Sequence, residues 1–163
     1  MKKILLILLL LCLCGCDKIG EEKVDPNQKY ADIIENIQEH EQFLDSSNYY
    51  DISAEIASID GAYRFYVTID NPRVALYDIE VIAIEEGKDY STTMAANVGI
   101  FEDIDYAMIP NQANPDKGYV KGLVISATTE NPETTLYINV SFKNEDYSLT
   151  HSEYIKLDVK YGE

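Results

Sequence analysis

Tryptophan is absent, and all 3 cysteines of this 163-residue chain stand within its first sixteen positions. Everything after Cys16 therefore lacks a disulfide, a cysteine-based metal site and the indole surface that best stacks on sugars. Only 2 histidines occur, His40 and His151, so no zinc or haem ligand set exists and nucleophilic catalysis has few bases to draw on. Positive charge is scarce as well: 13 Lys and Arg face 29 Asp and Glu, for a net charge of −16. Such a surface is repelled by nucleic acid and by anionic lipid headgroups, and its plain reading is solubility.

One hydrophobic run is present. Met1-Lys2-Lys3 leads into an uncharged stretch from Ile4 to Leu13, which ends at Cys14-Gly15-Cys16. The stretch is shorter than the roughly 20 residues a membrane-spanning helix needs, and a cationic start, an apolar centre and a small-residue exit describe a signal peptide. Leu13-Cys14-Gly15-Cys16 resembles the bacterial lipobox, with Cys14 standing where that motif usually has Ala, Ser, Thr or Val. The resemblance implies cleavage before Cys16, a diacylglyceryl group on its sulfur and a location on the extracytoplasmic side of a cell membrane. The alternative is a plain secretory peptide whose cysteines are incidental. Two acyl chains hold a protein to a membrane where one does so only marginally. The implied organisation is a signal peptide at 1–15, a lipidated tether at 16–25, a helix at 26–47 and a β-domain at 48–163. With the first 15 residues gone, 148 remain, and 11 basic residues face 29 acidic ones. That length suits a single domain.

Asp25-Pro26-Asn27-Gln28 carries the marks of a helix start: a capping Asp, Pro at the first helical position and Gln three residues past the cap. Tyr30, Ile33, Ile34, Ile37 and Leu44, with Phe43 beside the last, fall along one helical stripe, and a stripe of this kind packs on a domain. After Asn48 the period changes to two. Alternating apolar residues predict strands around Tyr50–Ile56, Tyr63–Ile69 and Tyr77–Ala83, the first two joined at Asp60-Gly61. Weaker strands are predicted around Tyr90, Thr92 and Met94 and from Tyr106 to Ile109. Stronger ones are predicted over 119–128, over 134–143 with Leu136, Ile138, Val140 and Phe142 inward, and from about Ser152 with Ile155, Leu157 and Val159 inward. Seven or eight short strands with turn signals between them predict an immunoglobulin-like β-sandwich preceded by one amphipathic helix, a small β-barrel being the alternative.

The candidate sites have to be weighed against plain structural roles. His40 lies among Glu39 and Glu41, and His151 beside Ser152 opens a strand; both read as solvent-facing. Glu85-Glu86 and Asp103-Ile104-Asp105 offer paired carboxylates of the sort hydrolases use, but solvated turns and edges explain them. Calcium is the cofactor to consider, with Asp103, Asp105 and Asp116 as candidate ligands, although no EF-hand loop is present. The 13 tyrosines are the best binding hint, because tyrosine gives a rigid amphipathic contact surface at low entropy cost. Tyr49, Tyr66, Tyr90 and Tyr147 fall on outward phases or loops. Together these features predict a lipid-anchored, non-enzymatic binding or accessory module for a protein partner. The alternatives are a metal-ion or small-glycan-binding lipoprotein and, behind it, an envelope hydrolase using two carboxylates.

Overall fold

The computed structural model describes residues 24–162. Helix α1 spans Pro26–Glu39, and seven strands follow: β1 Asp51–Ile59, β2 Ala62–Asp70, β3 Tyr77–Glu85, β4 Ala96–Val98, β5 Gly122–Thr129, β6 Glu133–Lys143 and β7 Thr150–Lys160. They form two antiparallel sheets, β1-β2-β5 and β4-β3-β6-β7. The chain crosses between sheets after β2, β4 and β5, which is the Greek-key connectivity of an immunoglobulin-like sandwich; the sheets do not close into a barrel.

The inner faces meet as the period-two reading requires. Phe65, Val67 and Ile69 from β2 and Leu123 and Ile125 from β5 pack against Val81, Leu136, Ile138, Val140 and Ile155 from the other sheet. The β1–β2 hairpin closes through Asp60 and Gly61, both at positive φ (52° and 83°), the type I′ geometry that matches the strand twist. A register shift between Tyr77 and Glu80, with Asp78 at φ 49°, sets the phase of β3. It leaves Ile79, Val81 and Ala83 in the inter-sheet core, and Ile82 and Ile84 in a second cluster on the opposite side.

That second cluster is closed by α1. Asp25 caps the helix by accepting the Asn27 N–H at 3.0 Å, with Pro26 in the first turn. Ile34 and Ile37 pack with Ile82, Ile84, Ala95 and Ile100, flanked by Tyr30, Ile33, Tyr90, Tyr137 and Tyr154. At the start of the helix Lys29 pairs with Glu80, whose side chain is 9% exposed, and the Tyr30 hydroxyl accepts the Ala95 N–H at 2.7 Å.

Three expectations need correction. The helix ends at Glu39, not near residue 47, because the chain beyond it is captured by β7. His40 stacks on Tyr154 at 3.8 Å, and Leu44 exchanges backbone hydrogen bonds with Tyr154 and Lys156 (2.8 and 2.9 Å), so Phe43 and Leu44 leave the helical stripe. No strand forms around Tyr90, Thr92 and Met94. There Asp89 folds back on Ser91, accepting from its N–H and hydroxyl at 2.8 Å each, and this local turn displaces the strand to Ala96. From 106 to 109 isolated bridges replace a strand, tying Met108 to Leu76 and Ala107 to Tyr119. Ile100 turns into the cluster beneath α1, and Gly99 permits it: at φ 84°, a Cβ there would stand 2.1 Å from the Ile79 carbonyl oxygen.

Candidate functional site

The end of α1, the turn after β3 and the middle of β6 enclose an open cleft of about 490 Å³. Its apolar floor comes from Ile37 and Ile84, which belong to the outer cluster. One wall is aromatic. Phe43 and Tyr137 meet at 4.8 Å, and His40 sets its ring edgewise to Phe43 at 5.3 Å. Tyr137 is placed there by register: it sits opposite Ile84 on β3 and Lys156 on β7, and the Lys156 ammonium lies 5.6 Å over its ring.

The facing rim is charged. Glu85 ends β3 with its side chain only 6% exposed and receives the Lys88 ammonium at 2.6 Å; Lys88 also donates to the Thr128 carbonyl at 3.1 Å. Glu86 is exposed and accepts the Tyr137 hydroxyl at 2.7 Å. That bond to Glu86, with burial and the nearby carboxylate charges of Glu86 and Asp158, raises the Tyr137 pKa above its ordinary value. Tyr90 accepts the Glu85 N–H at 2.7 Å, and burial pushes its pKa up to about 12. Beyond Glu86 the surface continues as two smaller depressions lined in part by Glu130, Asn131, Glu133 and Asp158.

Elsewhere, Asn71, Pro72, Asn111, Gln112 and Lys121 contribute to a polar depression of about 470 Å³, with Lys121 its single ionisable lining residue. Among the described residues, no group of three or more His, Cys, Asp or Glu is arranged to hold a metal ion, so Asp103, Asp105 and Asp116 are not gathered into a ligand set. Among the same residues, no helix is long and apolar enough to cross a membrane. Cys16, the expected signal peptide and all but the end of the expected tether lie outside the described residues.

The four tyrosines singled out from sequence do not form one surface. Tyr49 packs against Phe142 and His151 (5.3 and 5.6 Å). Tyr66 is half-buried on β2, between Glu55 and Ser126 in register. Tyr90 belongs to the cluster under α1. Tyr147 is exposed on the β6–β7 turn, 5.5 Å from Tyr77. Nor do the histidines face solvent freely: His40 stacks on Tyr154 and His151 on Phe142 (3.8 and 5.2 Å). Glu85, expected in a solvated turn, is buried. Sequence reading missed Phe43, Tyr137 and Lys88 as neighbours. The one available signal was the outward phase of Tyr137 on a strand whose other face carries Leu136, Ile138, Val140 and Phe142.

The fold and cleft define a helix-buttressed β-sandwich with an aromatic and acidic depression. No protein-family model and no curated protein matches the chain. A solved X-ray structure, the Northeast Structural Genomics Consortium target SoR45, is similar at a TM-score of 0.42 with 14% identity, over 73% of this chain and 90% of that one.

Proposed function

We propose that the chain is a lipoprotein, anchored through a diacylglyceryl group at Cys16 on the extracytoplasmic face of a cell membrane, and that its sandwich is a non-enzymatic binding module for a protein partner. The observation that carries this reading is the position of the cleft relative to the N-terminal approach. The chain enters α1 at Asp25, nine residues after Cys16, and the first turn of the helix lies against Glu80. The cleft is at the opposite end of the helix, beside Ile37 and Ile84. Fourteen helical residues span about 21 Å, which separates the cleft from the end of the helix that the proposed tether would join.

A binding role rather than a chemical one is supported by how the polar groups are used. Glu85 is held by Lys88, Glu86 by Tyr137 and Asp89 by Ser91, and His40 is stacked, so each serves the architecture of the cleft. Two measurements test the proposal. Intact mass from native membranes is expected to match residues 16–163 plus a diacylglyceryl group, with membrane retention lost in Cys16→Ser; a soluble, unlipidated protein refutes the anchor. A benzophenone side chain installed at Gln38 is expected to cross-link a discrete protein in intact cells, while one at Ser53, on the far edge strand β1, does not. Equal labelling from both positions refutes the cleft as the binding site.

A further inference from the structure

The lining of the cleft is matched to one kind of side chain. An apolar floor, an aromatic wall and a carboxylate at the rim suit a long aliphatic stem that ends in a positive charge. We infer that the cleft receives an arginine or lysine from an extended basic segment of the protein partner, its stem over Ile37 and Ile84 and its cationic head between the Phe43–Tyr137 wall and Glu86. This rests on the binding-module reading above.

Charge complementarity selects this occupant. Three carboxylates line the cleft, from Glu85, Glu86 and Asp89, against Lys88, which is tied to Glu85, and the Lys156 ammonium over the Tyr137 ring. The excess continues past Glu86 through Glu130, Glu133 and Asp158, so further cations of the same segment meet carboxylates as they leave the cleft. The wall already carries one interaction of the required type, since Lys156 lies 5.6 Å over the Tyr137 ring. An anionic ligand would enter against this local field and against the strongly acidic remainder of the domain.

The test uses the full lipidated chain in phosphatidylcholine nanodiscs, titrated at physiological salt with tetra-arginine and with tetra-citrulline, its uncharged counterpart of nearly equal shape. Tetra-arginine is expected to bind at least about tenfold more tightly than tetra-citrulline, with NMR shifts at the Gln38 and Gly87 amides. Glu86→Gln, an exposed substitution, is expected to weaken binding by about tenfold. Glu145→Gln, which removes the same charge from the β6–β7 turn away from the cleft, is expected to change it by less than about twofold. Equal losses in the two variants, or equal binding of the two peptides, overturn the inference, because attraction would then be diffuse or charge-independent. Absence of peptide binding while the Gln38 cross-link still forms refutes the cationic segment and leaves the binding module standing. Absence of both removes the two together.

Discussion

Strands β2 and β3 are each nine residues long and lie in opposite sheets, yet they use their residues differently. In β2, Phe65, Val67 and Ile69 are buried while the residues between them are half-buried, because among the described residues no layer covers the outer face of its sheet. In β3 every residue from Ile79 to Glu85 is buried, because the other sheet covers one face and α1 with the 95–100 segment covers the other. Covering a second face thus replaces alternation with a continuous apolar run, the pattern otherwise expected of strands sandwiched between layers. It also admits polar groups only with partners: Glu80 meets Lys29, Glu85 meets Lys88, and Asn139 donates to the Ser152 hydroxyl at 2.8 Å.

The two sides of the four-stranded sheet should therefore fail separately. Ile138→Ala, in the inter-sheet core, is expected to cost about 3–4 kcal/mol and to lower the single urea-unfolding transition seen by every probe. Ile37→Ala, in the outer cluster, is expected to cost about 2–3 kcal/mol, and hydrogen exchange should report it first as faster opening of α1 with the β2 amides still protected. If the β2 amides open together with α1, the two layers are one cooperative unit and the contrast disappears. Lys29→Met leaves the buried Glu80 carboxylate with Ser141 as its remaining side-chain partner at 3.4 Å and is expected to cost about 1–3 kcal/mol by calorimetry.

Tyr90 sharpens the comparison through pH. Burial raises its folded-state pKa from 10.0 to about 12, so the native state holds the phenolic proton more tightly than the unfolded chain does. Its contribution is complete below pH 10 and is lost as pH rises towards 12, and unfolding midpoints should fall across that window less steeply in Tyr90→Phe than in the parent. The smallest effect is expected in the inner core. Among the described residues the buried Tyr50 hydroxyl makes no hydrogen bond of normal geometry, although it lies beside the Glu153 carboxylate, which Ser47 holds at 2.7 Å, so Tyr50→Phe should leave thermal stability within about 1 kcal/mol of the parent or slightly above it.

What could be read from sequence was what depends on short range. The Asp25 cap, the Asp60-Gly61 turn and the inward phases of β2 and β6 all follow from neighbours two to four residues apart, and the sandwich follows from them. The end of α1 did not, because helical phase carries through Phe43 and Leu44, and only the backbone of β7, over a hundred residues later, pulls them out of it. Tyr90 has strand-like neighbours, but the Asp89–Ser91 turn and the Glu85 N–H decide its place. The cleft was illegible for the same reason, being assembled from 37–43, 84–89 and Tyr137, none of which carries a motif. Tyrosine abundance pointed to contact surfaces in general, yet of the candidate tyrosines only Tyr147 is largely exposed.

The Leu44 bridge to β7 has a mechanical side. A pull on the N-terminus reaches the sandwich only after passing along α1 and then through the two backbone hydrogen bonds that Leu44 makes with Tyr154 and Lys156. The helix rests on side-chain packing, the Lys29–Glu80 ion pair and the Ala95 N–H bond to Tyr30, whereas β7 is zipped to β6 over eleven residue pairs. Under tension α1 should peel away first, with the bridge yielding next, lengthening the leash while the sheets stay folded. Release of the segment ahead of β1 would dismantle the cleft, since Ile37, His40 and Phe43 leave with it.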